Sequence, residues 1–161
     1  MEITYREDPL PSDIDQVLPL VESSGFFSPE EISIAIELIE ERLSKGTQSG
    51  YFFLFAEFAG NIIGYTCFGP IPGTMHSYDI YWIVVHNNFR RRGIGKTLMA
   101  RTENLIGAKG GCLIYIDTSS QDLYRTTRMF YSQCGYRKEA FVKDFYKPGD
   151  GKIIYVKAIN P

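Results

Sequence analysis

The chain has 161 residues, its formal net charge is −2, and 44% of its residues are hydrophobic. This length and composition are typical of one globular domain, so we expect a single domain over residues 1–161. The small net charge argues against a nucleic-acid partner, and no apolar run approaches the roughly 18 residues that cross a membrane. The chain starts without a signal-peptide pattern and has three scattered cysteines, which favours free thiols and a cytoplasmic location.

The first part of the chain predicts a strand and two helices. The strand lies near residues 2–6 and the first helix near residues 12–23. The second helix starts with a capping box, because the side chains of Ser28 and Glu31 can each accept the other residue's backbone N–H. Gly46 marks the end of this helix, since glycine is common just after a helix C-terminus.

A hairpin and a further strand follow. Residues 51–58 and 61–68 have strand patterns, and Ala59-Gly60 between them predicts a tight turn. The strand over residues 78–85 is apolar or aromatic on both faces except at Asp79. We therefore expect this strand at the centre of the sheet.

Helices and strands alternate in the rest of the chain. A helix begins near Gly93, a buried strand covers residues 112–116, and the next helix ends at Gly135. The inner face of that second helix is predicted to carry Leu123, Thr127, Phe130 and Cys134. The last two strands lie near residues 140–146 and 152–158. The element order is therefore β-α-α-β-β-β-α-β-α-β-β, an α/β fold with a mixed sheet and helices on both faces.

The segment from Arg90 to Lys96 lies where the central strand ends and a helix begins. Such a junction presents unpaired backbone N–H groups and the positive end of the helix dipole, which favour a phosphate. Gly93 and Gly95 allow a ligand to approach the backbone closely. A Walker A loop would need glycine at the position of Arg90, and a Rossmann motif would need glycine at the position of Leu98. Solvated arginines at an ordinary helix start remain the alternative.

Two motifs make the sequence resemble the GCN5-related N-acetyltransferase (GNAT) superfamily. Arg90-x-x-Gly93-x-Gly95 matches the family's Gln/Arg-x-x-Gly-x-Gly/Ala signature. Residues 130–136, Phe-Tyr-Ser-Gln-Cys-Gly-Tyr, are similar to the Phe-Tyr-x-x-x-Gly-Phe ending of a later helix in the family. The predicted element order fits the family along essentially the whole chain. The resemblance implies a central, mixed but mostly antiparallel sheet of about seven strands, and acetyl-CoA as the acetyl donor.

The resemblance also assigns cofactor-binding residues by position. Backbone groups beside the acetyl and pantetheine end, where the family's central strand bulges away from its neighbour, would come from Ile83, Val84 and Val85. The pyrophosphate would be bound by the amides of Arg91, Arg92, Gly93, Ile94, Gly95 and Lys96, with Arg90 assisting. Many members have Asn where this chain has Tyr124, so the cofactor contact of that Asn is not carried over.

Acetyl transfer requires protonation or stabilisation of the departing CoA thiolate, a task for a general acid. In the family, the tyrosine at the position of Tyr131 commonly protonates this thiolate, so Tyr131 is the candidate acid. On a helix Tyr131 is turned about 100° from Phe130, and we expect it to border the core. A role in aromatic packing stays open as the alternative.

The acceptor amine must be neutral to react, which calls for a general base. Asp79 is the one charge in a strand suited to burial, and it lies eleven residues before Arg90. Family members that acetylate protein lysines carry Glu at this position. The shorter Asp79 is therefore expected to act through water, with Tyr81 completing a water chain. A solvated or salt-bridged Asp at a frayed strand start stays open.

Fewer features of the sequence indicate which residues bind the acceptor. We expect Phe26, Phe27, Tyr81 and Tyr146 to line the acceptor pocket, with core packing as the alternative for the two phenylalanines. The predicted function is transfer of acetyl from acetyl-CoA to the primary amine of a small molecule, amino acid or peptide, without a metal. Acetylation of protein lysines or N-termini and a non-catalytic acyl-CoA-binding sensor remain the alternatives. No membrane or nucleic-acid partner is expected, and a homodimer is left open.

Overall fold

The computed structural model describes residues 1–160, and within that part of the chain the elements follow the predicted order. The helices are α1 (Asp13–Ser24), α2 (Pro29–Lys45), α3 (Ile94–Ala108) and α4 (Arg125–Gln133). The strands are β1 (Thr4–Arg6), β2 (Phe52–Phe58), β3 (Asn61–Pro70), β4 (Ser77–Val85), β5 (Leu113–Ser119), β6 (Arg137–Lys147) and β7 (Asp150–Ala158). Their order in the sheet is β1-β2-β3-β4-β5-β7-β6. The prediction of a mixed α/β fold with the apolar strand at the sheet centre is confirmed.

The chain divides into two compact units. The first unit comprises Met1–Gly69 and Trp82–Thr102, and the second comprises Pro70–Tyr81 and the chain from Glu103 onward. The boundaries fall inside β4 and α3 and before the last residue of β3, so each of these three elements contributes to both units. The expectation of a single domain over residues 1–161 stays a prediction.

Local turn chemistry forms the hairpin of the first unit. β2 pairs antiparallel with β3, and β1 pairs antiparallel with β2. Ala59 and Gly60, which join β2 to β3, have left-handed φ angles of 49° and 78°. Two consecutive residues of this kind make a turn whose twist matches that of the two strands. The predicted tight turn is confirmed.

The predicted capping box starts α2. The Ser28 hydroxyl accepts the Glu31 N–H at 3.2 Å, and the Ser28 N–H donates to the Glu31 carboxylate at 3.4 Å. At the other end, Gly46 has a φ angle of 62°, as glycine permits. Ala35 and Ile39 are buried and attach this helix to the protein.

A buried hydrogen bond joins β3 to α3 in the first unit. The hydroxyls of Thr66 and Thr102 lie 2.7 Å apart, and both residues are fully buried. Leu98 and Ile94, one and two turns earlier on α3, are buried as well. Because an unpaired buried hydroxyl costs free energy, this bond favours one position of α3 on β3.

The second unit is built around β5. The start of β4 pairs parallel with β5, from Ser77 opposite Leu113 to Asp79 opposite Tyr115. β5 also pairs antiparallel with β7, which pairs antiparallel with β6. This register places side chains of β4, β5 and β7 next to one another around Asp79.

The inner face predicted for α4 is wrong at Leu123, which is 57% exposed. Thr127, Phe130 and Cys134 are half-buried, and Tyr131, the buried residue of this helix, lies on the same side. The physical reason for the exposure of Leu123 lies in the start of the helix. α4 begins at Arg125 after the 3-10 segment Asp122–Tyr124, so Leu123 does not share its 3.6-residue period.

We predict that Thr102→Val lowers the free energy of unfolding by about 1–3 kcal/mol, because it leaves the Thr66 hydroxyl buried without its partner. Urea unfolding of the wild type, both single Val variants and the double Val variant measures this loss. The double variant should lose less than the sum of the two single variants. Additive losses would show that the hydroxyl pair contributes no coupling.

Candidate active site

The segment between β4 and α3 is a loop with a sharply turned backbone. Arg91 and Gly93 have left-handed φ angles of 60° and 80°. The first helical hydrogen bond runs from the Thr97 N–H to the Gly93 carbonyl at 3.0 Å. The amides of residues 94–96 precede this bond and lie at the positive end of the helix. Such a group of amides can bind a phosphate.

Basic side chains accompany these amides. Arg91, Arg92 and Lys96 are exposed, so they are accessible to a charged ligand. The Arg92 guanidinium lies 5.5 Å from the centroid of the Phe89 ring, which limits where it points. Guanidinium and ammonium groups pair well with phosphate oxygens. The loop therefore combines backbone donors with exposed positive charge.

Arg90 connects the loop to neighbouring segments through a hydrogen bond and a ring contact. Its Nε donates to the Val85 carbonyl at 3.3 Å, and its guanidinium lies 5.3 Å from the centroid of the Phe26 ring. Burial lowers the pKa of Arg90. Since the ordinary pKa of arginine lies far above neutral pH, the side chain remains a cation. Arg90 thus links the loop to the end of β4 and to the connection between α1 and α2.

The connection between α1 and α2 packs on the same part of the first unit. The Phe27 ring meets the Trp82 ring edge-on at 5.9 Å between centroids. The Asn87 side-chain amide, just after β4, donates to the Ser23 carbonyl near the end of α1. Phe26 and Phe27 therefore have packing partners near the loop, and their role in an acceptor pocket stays a prediction.

The end of β4 is closely backed by β3. Val84 is buried, while Ile83 and Val85 are half-buried. A Cβ added to Gly64 would lie 2.8 Å from the Val84 carbonyl oxygen, so glycine is needed for this approach of the two strands. The contact of residues 83–85 with a cofactor stays a prediction.

Asp79 lines a cleft in the second unit with a volume of about 350 Å³. Two further carboxylates, Asp117 on β5 and Glu139 on β6, line the same cleft. Lys152 on β7 forms an ion pair with Asp117 at 2.9 Å. Asp79 is the one charged residue of β4, as predicted, and its neighbours on other strands are charged.

Burial raises the pKa of Asp79 to about 6, and the negative charge of Asp117 adds to this shift. The positive charge of Lys152 acts in the opposite direction and lowers the pKa. A carboxyl group with this pKa is largely ionised at pH 7, yet it holds a proton far better than an ordinary aspartate. It is therefore suited to accept a proton from an amine near neutral pH.

Tyr131 is buried rather than placed at the border of the core, so that part of the prediction is wrong. Its ring centroid lies 5.9 Å from that of Tyr155 and 6.4 Å from that of Tyr136, and the residue is 5% exposed. Burial raises the pKa of Tyr131 well above its ordinary value. The phenol therefore stays protonated at neutral pH and can act as a proton donor.

The other predicted acceptor residues do not lie in the cleft beside Asp79. Within residues 1–160, the side chains lining that cleft include neither Tyr81 nor Tyr146. Tyr81 lies two residues along β4 from Asp79 and shares its face of the strand. Tyr146 is 48% exposed and packs edge-on against Phe145 at 5.0 Å. Their predicted contacts with the acceptor remain untested.

Residues 1–160 contain no group of three or more His, Cys, Asp or Glu side chains arranged to hold a metal ion. The cysteines at positions 67, 112 and 134 are free thiols. His86, just after β4, accepts the Asn88 N–H at 3.2 Å and so caps the following turn. Among the described residues, none of the helices is long and apolar enough to cross a membrane.

Sequence reasoning missed the Asp117–Lys152 pair. The position of Asp117 relative to Asp79 depends on the β4–β5 register, in which Tyr115, two residues before Asp117 on β5, lies opposite Asp79. The position of Lys152 depends on the β5–β7 register, in which it lies opposite Ser119. That register involves residues more than 30 positions apart, which no local pattern specifies.

Comparison with known proteins gives a consistent result. Residues 49–138 match the family model described as an acetyltransferase (GNAT) domain. Acetyltransferase plu1384 of Photorhabdus laumondii is 35% identical over 111 residues, which cover 68% of this chain and 69% of that protein. A crystal structure of a GNAT-family protein from Desulfovibrio desulfuricans is 41% identical, with a TM-score of 0.96 and coverage of 98% of this chain and 99% of the other.

The fold is also shared with more distant structures. The PaiA N-acetyltransferase of Thermoplasma acidophilum in complex with coenzyme A is 19% identical and has a TM-score of 0.78. The alignment covers 99% of this chain and 100% of the other. At this level of identity the similarity speaks for the fold alone.

We predict that Asp79→Asn stabilises the protein at pH 8 by on the order of 1 kcal/mol and that the gain disappears by pH 4. The folded pKa of about 6 lies above the ordinary value of 3.8. Burial of the carboxyl group is therefore tolerated at low pH, and stability is lost as the pH rises through about 6. Asn cannot ionise and escapes this loss.

Urea unfolding at pH 4 and pH 8 measures the effect. The matched control is Asp122→Asn, which removes an exposed carboxylate from the same unit. A gain for Asp79→Asn that does not change with pH would contradict the prediction.

Proposed function

The chain belongs to the GNAT family of acetyltransferases, and from that premise we propose that it transfers acetyl from acetyl-CoA to the primary amine of a small molecule, amino acid or peptide. It is an acetyl-CoA-dependent acetyltransferase. The observation that supports an amine acceptor is the cleft beside Asp79, whose carboxylates attract an ammonium group and whose Asp79 can take its proton. We assign this activity to one catalytic domain over residues 1–161.

The loop between β4 and α3 fits the diphosphate of acetyl-CoA. Gly93 has a left-handed φ angle of 80°, and a Cβ built on it meets no atom within 4 Å, so the space beside this backbone is open. We propose that the amides of residues 91–96 bind the pyrophosphate, with the charges of Arg91, Arg92 and Lys96. Arg90 assists mainly by holding the loop on Val85. Backbone groups of residues 83–85 would lie beside the acetyl and pantetheine end.

Acetyl-CoA supplies the activated thioester, and the amine attacks its carbonyl carbon. The new C–N bond forms, the C–S bond breaks, and the amine must lose a proton. We assign that proton to Asp79, directly or through a water molecule, because its pKa of about 6 makes it an effective base at neutral pH. The carboxylates of Asp117 and Glu139 favour a cationic amine in the same cleft.

The departing thiolate needs a proton, and we assign its donor as Tyr131. Support comes from the position of Tyr131 in the family motif and from the burial that keeps its phenol protonated. The rings of Tyr136 and Tyr155 fix its orientation. An oriented acid is more effective than a mobile one, since less freedom is lost in reaching the reactive geometry.

We predict that Gly93→Val weakens acetyl-CoA binding by about tenfold or more, since a β-branched residue in the left-handed region costs about 1–2 kcal/mol and distorts the loop. Isothermal titration with acetyl-CoA measures the affinity. The matched control is Gly60→Val in the β2–β3 turn, where φ is 78° and a Cβ also meets no atom within 4 Å. Equal affinities of the two folded variants would disprove the loop assignment.

We predict that Tyr131→Phe lowers turnover by about 10²- to 10⁴-fold while acetyl-CoA affinity is kept, because only the proton donor is lost. Release of the CoA thiol is followed across a panel of small amines, amino acids and lysine or N-terminal peptides, which also identifies the acceptor class. Tyr136→Phe is the control, since it removes a neighbouring hydroxyl that donates to Glu103 at 3.1 Å. Unchanged turnover of Tyr131→Phe would exclude Tyr131 as the acid.

A further inference from the structure

Asp117, which lines the cleft beside Asp79, forms an ion pair with Lys152, a residue that the proposed reaction does not use. Lys152 Nζ on β7 lies 2.9 Å from Asp117 Oδ2 on β5. The same Nζ lies 4.5 Å from the centroid of the Phe145 ring on β6. Lys152 is 21% exposed and Asp117 39% exposed, so the pair is partly shielded from solvent. Two contacts thus hold the ammonium group beside Asp117.

We propose that Lys152 and Asp117 are positioning residues that set the pH at which Asp79 becomes a base. This inference rests on the proposed function, in which Asp79 takes the proton of the acceptor amine. The geometry supports it, because Asp79 and Asp117 line one cleft, Lys152 is ion-paired with Asp117, and the three residues come from three adjacent strands of the sheet.

Titratable groups from β5, β6 and β7 lie around Asp79. On β5, Tyr115 and Asp117 face the cleft, on β6 Glu139 does, and on β7 Lys152 approaches it. Tyr115 and, two residues along β4 from Asp79, Tyr81 add phenol side chains to this region.

Glu139 has a partner of its own. Its carboxylate pairs with Arg137 at 3.0 Å, and both side chains are largely exposed, at 48% and 72%. Water screens the field of such an exposed pair. Asp117 and Lys152 are therefore the charges that act most directly on Asp79.

These two charges act on Asp79 with opposite signs. The negative charge of Asp117 raises the pKa of Asp79, and the positive charge of Lys152 lowers it. As long as they are paired, their effects partly cancel. Removal of either one leaves the charge of the other uncompensated, so the direction in which the pKa of Asp79 changes depends on which residue is replaced.

The test is the pH dependence of kcat/KM in Lys152→Met and Asp117→Asn. The acidic limb should move to higher pH in Lys152→Met, because an unbalanced Asp117 anion disfavours ionised Asp79. It should move to lower pH in Asp117→Asn, because the Lys152 cation then acts alone. We expect shifts of about half a pH unit or more. Shifts in the same direction, or none in either variant, would overturn the proposal.

A control variant separates this effect from a change in net charge. Lys45→Met also removes a paired lysine, which contacts Glu41 at 2.8 Å on the exposed surface of α2. Its acidic limb should coincide with that of the wild type. A purely structural role for the Lys152 pair would lower kcat in both cleft variants without moving the limb in opposite directions. If Lys152→Met does not fold, Lys152→Gln serves in its place.

A second measurement distinguishes this proposal from the proposed function. Carbon-13 NMR of the Asp79 carboxyl follows its titration without catalysis, with Asp79→Asn identifying the resonance. If Asp79→Asn keeps the wild-type acidic limb, Asp79 is not the base, and the proposed function fails at that residue. If the limb belongs to Asp79 but its titration is unchanged in both Lys152→Met and Asp117→Asn, the ion pair has no such role.

Discussion

The fixed start of α3 is the constraint on which the proposed donor site depends. A phosphate-binding loop works only if its amides keep one direction, and here a helix that is buried along one side holds them. Ile94 and Leu98 are buried, and the hydroxyl bond between Thr66 and Thr102 attaches the same helix to β3. At the other end of the loop, Arg90 binds the Val85 carbonyl. The left-handed residues between these anchors can therefore stay open to a ligand without disordering the loop.

The cleft beside Asp79 depends on a different constraint, because a carboxyl group lies there although burial makes its charged form unfavourable. Burial raises the pKa of Asp79 to about 6 and so disfavours its ionised form. A chain selected for stability alone would place an apolar residue at this position of a central strand. The retained carboxyl group is therefore an argument for function. The Asp117–Lys152 pair allows that group to lie among charges without a large net field.

Features encoded within a few neighbouring residues could be predicted from the sequence. The capping box at Ser28, the turn at Ala59-Gly60 and the loop at Gly93 depend on local chemistry, and each lies where the sequence places it. The burial of Tyr131 could not be predicted in the same way. It depends on the packing of the Tyr131 ring against Tyr155 of β7, far along the chain, and the 3-10 segment before Arg125 takes Leu123 out of the helical period of α4. The Asp117–Lys152 pair could not be predicted from the sequence either, because it depends on strand register.

A single physical cause, burial, has different consequences for the two proposed proton-transfer groups. Removal from water disfavours the charged form of any acid, so it raises the pKa of Asp79 and of Tyr131 alike. For the carboxyl group, the rise brings the pKa close to neutral pH, where an ionised carboxylate is a more effective base. For the phenol, the rise moves the pKa further from neutral pH, so Tyr131 keeps its proton but is a weaker acid than an ordinary tyrosine. The same environment thus strengthens the proposed base, whereas proton donation by Tyr131 depends on close and oriented placement beside the thiolate.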